Sequence, residues 1–383
     1  MKKLTKFTLI FLITLLILCL GVFVFYKFYL KPKTIIPTAI SKLKVAEKFD
    51  QNIIDSIVLY TKNNVRNSAC ISIAIIDSGK TYFYGFNREK NQLYTHENSD
   101  SLFQIGSISK VFTATILSNL ILENKINPNE TIEKYLGFEL KNHLKLSFAQ
   151  LVNHTSGLNR MPEGLISNMM SDFDQPYKNY TNEWIENYLK NDIEIKPSKK
   201  GTYEYSNLGA AILGYTMAQS QGKTYESLLD QYVLKKYKLQ HTFLYKSEDA
   251  KRLVKSIDII DSVTTNWVLN SFNPAGGIVS NIKDMSLFAL ANMDSTHSDL
   301  IQMHKTTAKI DSSLSIGMAW HIISAKNKHT YLFHNGATSN FNSSMAIDYN
   351  TKKAVIVLSN SNYVDTKGNL DKLVLGILNY LNR

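Results

Sequence analysis

Phe7 to Tyr26 is an unbroken run of about 20 uncharged, mostly apolar residues. As a helix rising roughly 1.5 Å per residue it matches the roughly 30 Å hydrocarbon layer of a bilayer, so the pattern predicts a transmembrane helix. Lys2, Lys3 and Lys6 precede it, which places the N-terminus on the cytoplasmic side, although Lys27, Lys31 and Lys33 beyond it weaken the bias. A cleaved signal peptide is the rival, but Tyr26 to Lys33 offers no small-x-small cleavage site. The run therefore reads as an uncleaved anchor over residues 1–30. Residues 31–48, with Pro32, Pro37 and several lysines but no apolar period, read as a tether.

From residue 49 onward the pattern is that of a folded domain. Ile71 to Ile76 and Thr81 to Phe86 are two β-rich runs around the turn Asp77-Ser-Gly-Lys80, a hairpin signal. Val111, Ala114, Ile116, Leu117, Leu120 and Ile121 recur at helical spacing and stop near Asn127-Pro128. Further helical stretches follow, among them Trp184 to Lys190 and Leu208 to Gln219. Tyr331 to His334, Ser343 to Ile347 and Ala354 to Asn360 read as strands, with a turn at Tyr349 to Lys352, and Leu370 to Leu381 as a closing amphipathic helix. Strands at both ends with helices between predict an α/β (α+β) domain over residues 49–383. The two chain ends share one antiparallel sheet flanked by helices, and residues 128–300 form an inserted, mainly helical lobe. The cleft between the lobes is the expected site.

Composition adds limits. The chain has 383 residues, 44% hydrophobic and 20% charged, which is ordinary for a folded protein. Six of its eleven surplus positive charges are the lysines of residues 1–33; the surplus of five that remains, without a basic run, excludes an obvious nucleic-acid face. Cys70 is the only cysteine after the apolar run, so no internal disulfide is expected. The nine histidines show no ligand-spaced cluster, and no metal or other cofactor is expected.

Three short patterns carry chemistry. Ser107 and Lys110 lie in Phe103-Gln-Ile-Gly-Ser-Ile-Ser-Lys-Val-Phe112. A serine hydroxyl needs a base, and a lysine three residues on along a helix shares its face. Ser41/Lys44, Ser220/Lys223 and Ser280/Lys283 have the same spacing. Ser107 differs in opening a helix, whose free amides favour developing negative charge. Tyr205-Ser206-Asn207 is the second pattern. A tyrosine beside a lysine can share its proton, each lowering the other's pKa from about 10, and an asparagine can accept from an ammonium and donate to a carbonyl. His334-Asn335-Gly336 at a strand end is the third. A glycine there admits substrate to the backbone, and the amide of Ala337 can pair with that of Ser107 as an oxyanion hole.

In this order the three patterns resemble the serine β-lactamase and penicillin-binding superfamily, in its class C β-lactamase, D-aminopeptidase and esterase branch. Leu151-Val-Asn-His-Thr-Ser-Gly-Leu158, Asn273-Pro-Ala-Gly-Gly-Ile-Val-Ser280, Gly317-Met-Ala-Trp320 and Val355-Ile-Val-Leu-Ser-Asn360 agree, over roughly residues 50–383. The resemblance implies an acyl-enzyme mechanism. Ser107 is the nucleophile, Lys110 and Tyr205 move its proton, Asn207 orients lysine and substrate, and His334, Gly336 and Ala337 form the substrate-binding and oxyanion strand. His154 and Gly276-Gly277 read as loop formers around the cleft.

In β-lactamases and D-alanine carboxypeptidases the third motif is usually Lys-Thr-Gly and helps bind the substrate carboxylate. Here His334, Asn335 and Ala337 stand there, without a fixed charge or a hydroxyl. The expectation moves to an ester or amide substrate, small molecule or peptide, handled by an esterase, amidase or D-aminopeptidase-like enzyme. The alternative is a penicillin-binding sensor that acylates without turnover. The anchor places the domain on the periplasmic or extracellular side of a bacterial membrane.

Overall fold

The structure, a computed structural model, describes residues 39–40, 51–195, 197–258, 261–326, 328–361 and 369–383. The predicted membrane helix and most of the tether lie outside them. Among the described residues no helix is long and apolar enough to cross a membrane.

Ten strands form the large sheet: β1 (Ala39–Ile40), β2 (Cys70–Asp77), β3 (Lys80–Glu89), β4 (Gln92–Thr95), β8 (Ala308–Lys309), β9 (Leu314–Gly317), β10 (Trp320–Ser324), β11 (Thr330–Ala337), β12 (Asn342–Asp348) and β13 (Lys353–Ser359). Their order is β1-β4-β3-β2-β13-β12-β11-β10-β9-β8. Every pairing is antiparallel except that of β1 with β4. The two chain ends meet as expected, since Ile73 of β2 lies opposite Val357 of β13. β2 and β13 are buried along nearly their whole length. That explains why they read as continuous apolar runs and not as alternating ones.

Helices α1 (Gln51–Asn64) and α5 (Asn369–Leu381) pack on each other, and α5 lies on β12 and β13. Ile53, Ile57, Leu370, Val374 and Ile377 close this face against Ile73, Ile75, Val355 and Val357. The larger core on the other side is organised by α2 (Ser109–Leu122). Its apolar residues recur at helical spacing as expected, but the helix is buried on every side from Ser109 to Leu120. It is a central helix. Its polar residues are satisfied from within the lobe: Thr113 Oγ1 donates to the Pro274 carbonyl (2.7 Å), and Asn119 Nδ2 donates to Asp299 Oδ2 (2.9 Å).

The inserted segment is mainly helical, with α3 (Asn207–Gln221) and α4 (Ile282–Asn292) its longest elements. It also contributes β6 (Phe243–Leu244) and β7 (Ile278–Ser280) to a small sheet with β5 (Phe103–Gln104), in the order β5-β7-β6. Strands of two or three residues carry no periodicity, so the expectation of a helical lobe omitted them.

Candidate active site

Ser107 sits in a tight turn, Gly106–Ile108, between β5 and α2. The residue that enters the turn is gripped from both sheets. Ile105 N–H donates to the Ile278 carbonyl (3.0 Å), and the Ile105 carbonyl accepts from Ser343 Oγ of β12 (2.8 Å). Gly106 takes φ +51°, and a Cβ there would stand 2.6 Å from the Ala337 nitrogen. A Cβ on Gly336 would stand 2.8 Å from the Ser107 nitrogen and 2.1 Å from the Ile105 oxygen. Two glycines thus let the turn and the end of β11 pack backbone on backbone. The Ser107 and Ala337 amides are neighbours for that reason. Gly106 was not among the expected site residues, although its place directly before the serine was a signal.

Lys110, in the first turn of α2, is 2% exposed. Its Nζ lies 3.0 Å from Ser107 Oγ and donates to the Ala275 carbonyl at 2.7 Å. Burial holds its pKa well below the ordinary lysine value, and the nearby Arg160 guanidinium pushes the same way. Burial thus favours the neutral amine over the ammonium. One N–H goes to Ala275, and the nitrogen lone pair remains to accept the Ser107 hydroxyl proton. Ala275, directly before the Gly276-Gly277 pair expected as a loop former, thus supplies the carbonyl that orients the base.

Tyr205 departs from expectation. Its pKa is not lowered: burial pushes it above the ordinary value, while the Ser107 hydroxyl and the Arg160 charge pull weakly the other way. Burial disfavours the phenolate, so the group is a phenol. Lys110 Nζ stands 4.8 Å from the Tyr205 ring centre.

His154 brackets this tyrosine. Its carbonyl accepts from Glu204 N–H (2.7 Å), its Nδ1 from Ser206 N–H (3.2 Å), and its ring lies 4.6 Å from that of Tyr205. Since Nδ1 accepts, the proton of the neutral ring is on Nε2. Ser206 Oγ donates to the Asn159 carbonyl (2.7 Å) and caps α3 by accepting from Gly209 N–H (2.8 Å). Asn207 begins that helix. Its Nδ2 contacts Met161 Sδ at 3.0 Å, and its buried Oδ1 has no partner. Among the described residues the expected bond from Asn207 to Lys110 is not made; Lys110 Nζ is bonded to Ser107 and Ala275 instead.

A cavity of about 700 Å³ opens over these groups, lined by Ser107, Tyr205, Asn207, Asn335, Gly336 and Ala337 among others. Two expected residues lie behind its wall. Lys110 reaches Ser107 from below, and His334, with no exposed surface, turns away. His334 Nδ1 is 2.6 Å from the Asn335 carbonyl and must donate, so its unpartnered Nε2 carries only a lone pair. Burial keeps its pKa well below the ordinary value. The third motif thus brings no charge to the cavity. Arg160 and Asp371 do line it, and neither was singled out in the sequence. Among the described residues no cluster of His, Cys, Asp or Glu could hold a metal.

A family model described as Beta-lactamase matches residues 62–377. A beta-lactamase of Providencia stuartii is 26% identical over 260 residues, which cover 65% of this chain and 63% of that protein. The chain spans 46% to 63% of the length of three curated beta-lactamases it matches. The solved class C beta-lactamase of Rhodobacter sphaeroides superposes with a TM-score of 0.68 at 18% identity, covering 86% of this chain and 99% of that one. A beta-lactamase/D-alanine carboxypeptidase of Yersinia pestis gives 0.71 at 17%, covering 88% and 97%.

Proposed function

The chain belongs to the Beta-lactamase family and is a serine hydrolase, and from that premise we propose that it opens an ester or amide bond through an acyl-enzyme on Ser107. The observation that carries this reading is a buried Lys110 amine 3.0 Å from the Ser107 hydroxyl, oriented by Ala275, at the floor of a cavity.

Ser107 Oγ attacks the substrate carbonyl carbon, and its proton passes to the Lys110 lone pair. The carbonyl oxygen becomes an oxyanion between the Ser107 and Ala337 amides, where one donor is typically worth about 3 to 4 kcal/mol. As the bond to the leaving group breaks, the Tyr205 phenol hands it a proton and is recharged from the Lys110 ammonium. Both groups then regain their starting states. Water attacks the acyl ester, gives its proton back through the same pair, and frees Ser107. Asn207 Nδ2, held only by the Met161 sulfur, is the amide donor available to a substrate carbonyl.

Residues 1–30 anchor the enzyme, 31–48 tether it and 49–383 form the hydrolase on the periplasmic or extracellular side. The apolar run Phe7 to Tyr26 supports this arrangement.

The test uses the full chain in detergent micelles with a fluorophosphonate probe, benzylpenicillin and 4-nitrophenyl acetate, followed by peptide mapping. The expected result is a covalent adduct on Ser107, turnover of the ester, and loss of both in Ser107→Ala. Adducts that persist in Ser107→Ala refute the mechanism. A stable Ser107 adduct without turnover of any ester or amide identifies a sensor.

A further inference from the structure

The cavity wall holds one permanent cation, Arg160, and one carboxylate, Asp371. They differ in how far they are already engaged. Asp371 accepts from Asn335 Nδ2 (2.7 Å) and Ser344 Oγ (2.8 Å). Arg160 lies over the Tyr205 ring, its guanidinium carbon 4.8 Å from the ring centre, and among the described residues it has no side-chain hydrogen bond or ion pair. Its main chain is held in place, since the Arg160 carbonyl accepts from Asn207 N–H at 2.9 Å. The guanidinium is therefore an exposed charge that lies over the phenol ring and lines the cavity, on a main chain anchored to Asn207.

Other positive groups near the cavity do not compete with it. Lys110 is buried and engaged by Ser107 and Ala275. His334 is sealed behind the wall, and His321, whose Nε2 lies 3.0 Å from the Tyr203 hydroxyl, has its pKa pushed down to about 4 by burial. The walls around Arg160 are largely aromatic, with Tyr177, Tyr203, Trp267 and Phe272. Such walls offer apolar surface to the body of a substrate whose charge meets the guanidinium.

Resting on the acyl-enzyme reading, we propose that Arg160 selects substrates bearing a carboxylate beside the scissile ester or amide, and that it does so from the helical lobe, across the cleft from β11. The planar guanidinium fork matches a carboxylate through two parallel N–H···O bonds. Arg160 is a specificity-determining residue in this scheme; the charge absent from the third motif is supplied by a different element on the opposite wall.

The experiment compares full-length wild type, Arg160→Gln and Arg160→Lys on matched ester pairs. For a charge on the acyl side the pair is 4-nitrophenyl hydrogen glutarate against 4-nitrophenyl methyl glutarate. For a charge on the leaving side it is the 3-carboxyphenyl against the phenyl ester of N-acetylglycine. In at least one pair the wild type has a kcat/KM at least tenfold higher for the charged member, and 0.5 M NaCl reduces that preference. Arg160→Gln abolishes the preference, the charged member losing at least tenfold more in kcat/KM than the neutral one, and Arg160→Lys keeps part of it. Equal losses on charged and neutral esters would show that Arg160 only positions Tyr205 and would overturn the proposal, as would a wild type with no preference in either pair. Fluorophosphonate labelling of Ser107 reports separately on the acyl-enzyme reading. Labelling and neutral-ester turnover without charge preference sink this inference alone, whereas absent labelling sinks both.

Discussion

Gly336→Ala is the sharpest single perturbation of the site. The added Cβ would stand 2.1 Å from the Ile105 oxygen, 2.6 Å from Ser343 Oγ and 2.8 Å from the Ser107 nitrogen, where ordinary contact begins at 3.4 Å. Ser343 can rotate, but the Ile105 oxygen cannot. It belongs to a residue whose N–H is held by the Ile278 carbonyl and whose carbonyl is held by Ser343 Oγ. Relief therefore requires β11 and the Ser107 turn to separate by roughly 1 Å, a misplacement that costs on the order of 10²-fold in rate when it falls on reacting groups. Because the separation pulls the Ala337 amide from that of Ser107, the loss of an oxyanion donor sets the scale, about 10²- to 10³-fold in kcat. The fold should survive, at an overpacking cost of about 1–3 kcal/mol. Gly376→Ala is the control: its Cβ meets nothing within 4 Å, and it lies inside α5. That change should leave kcat untouched and stabilise by roughly 0.5–1 kcal/mol. Steady-state hydrolysis of 4-nitrophenyl acetate and a thermal melt decide the matter. If Gly336→Ala keeps kcat within threefold of the parent, the backbone contact does not hold the oxyanion site and the reasoning fails.

Acidification should switch the enzyme off by protonating Lys110. Since burial lowers that pKa, the rising limb of kcat/KM against pH should lie well below the ordinary lysine value, and a limb near 10.5 would contradict a depressed base. His304 and His321 are each pushed to about 4 by burial, against 6.5 for the unfolded chain. Between those values the unfolded chain binds more protons, so stability is full above pH 6.5 and falls toward pH 4, by on the order of 3 kcal/mol per histidine. Urea melts at pH 7 and 4.5 test the sign, and equal midpoints would refute it. His154→Phe keeps a ring against Tyr205 but strands the Ser206 N–H, at about 1–3 kcal/mol. It should lower kcat about tenfold or more with KM little changed, and His154→Asn should recover part; a rise in KM alone would assign His154 elsewhere.

The legible parts of this chain are those whose pattern is local. β2, β3, β11, β12, β13 and α5 announced themselves by runs or periods of four or more residues. The joining of both chain ends in one sheet followed from them. Ser107 with Lys110, and Tyr205 with Asn207, were legible because each pair lies within one turn of a helix start. What stayed hidden depends on distant segments meeting. The small sheet joins Phe103–Gln104, Phe243–Leu244 and Ile278–Ser280 through strands too short to show alternation. The lowered pKa of Lys110 comes from burial and from Arg160, fifty residues away, and its carbonyl partner from Ala275. Spacing cannot report a desolvation, which is why the expected mutual lowering of Lys110 and Tyr205 became one group down and the other up.

The same distinction explains why the nucleophile was easier to find than the substrate. Attack on a carbonyl needs a hydroxyl, an amine and two amides, and a short turn ahead of a helix supplies most of them. Choice of substrate belongs to the walls. Arg160 follows the loop that carries His154, Tyr203 precedes α3, Trp267 and Phe272 lie before Asn273, and Asp371 is on the last helix. No window of sequence contains them together. His334 shows the consequence, since its position in the third pattern suggested contact with substrate, yet β11 buries its ring and offers only the backbone beyond it. A position's charge in the motif therefore says little about the charge of the cavity, which the opposite lobe can restore. Exchanging residues between family members to transfer specificity should accordingly fail when confined to His334, Asn335 and Ala337, and succeed only when the residue at Arg160 moves with them.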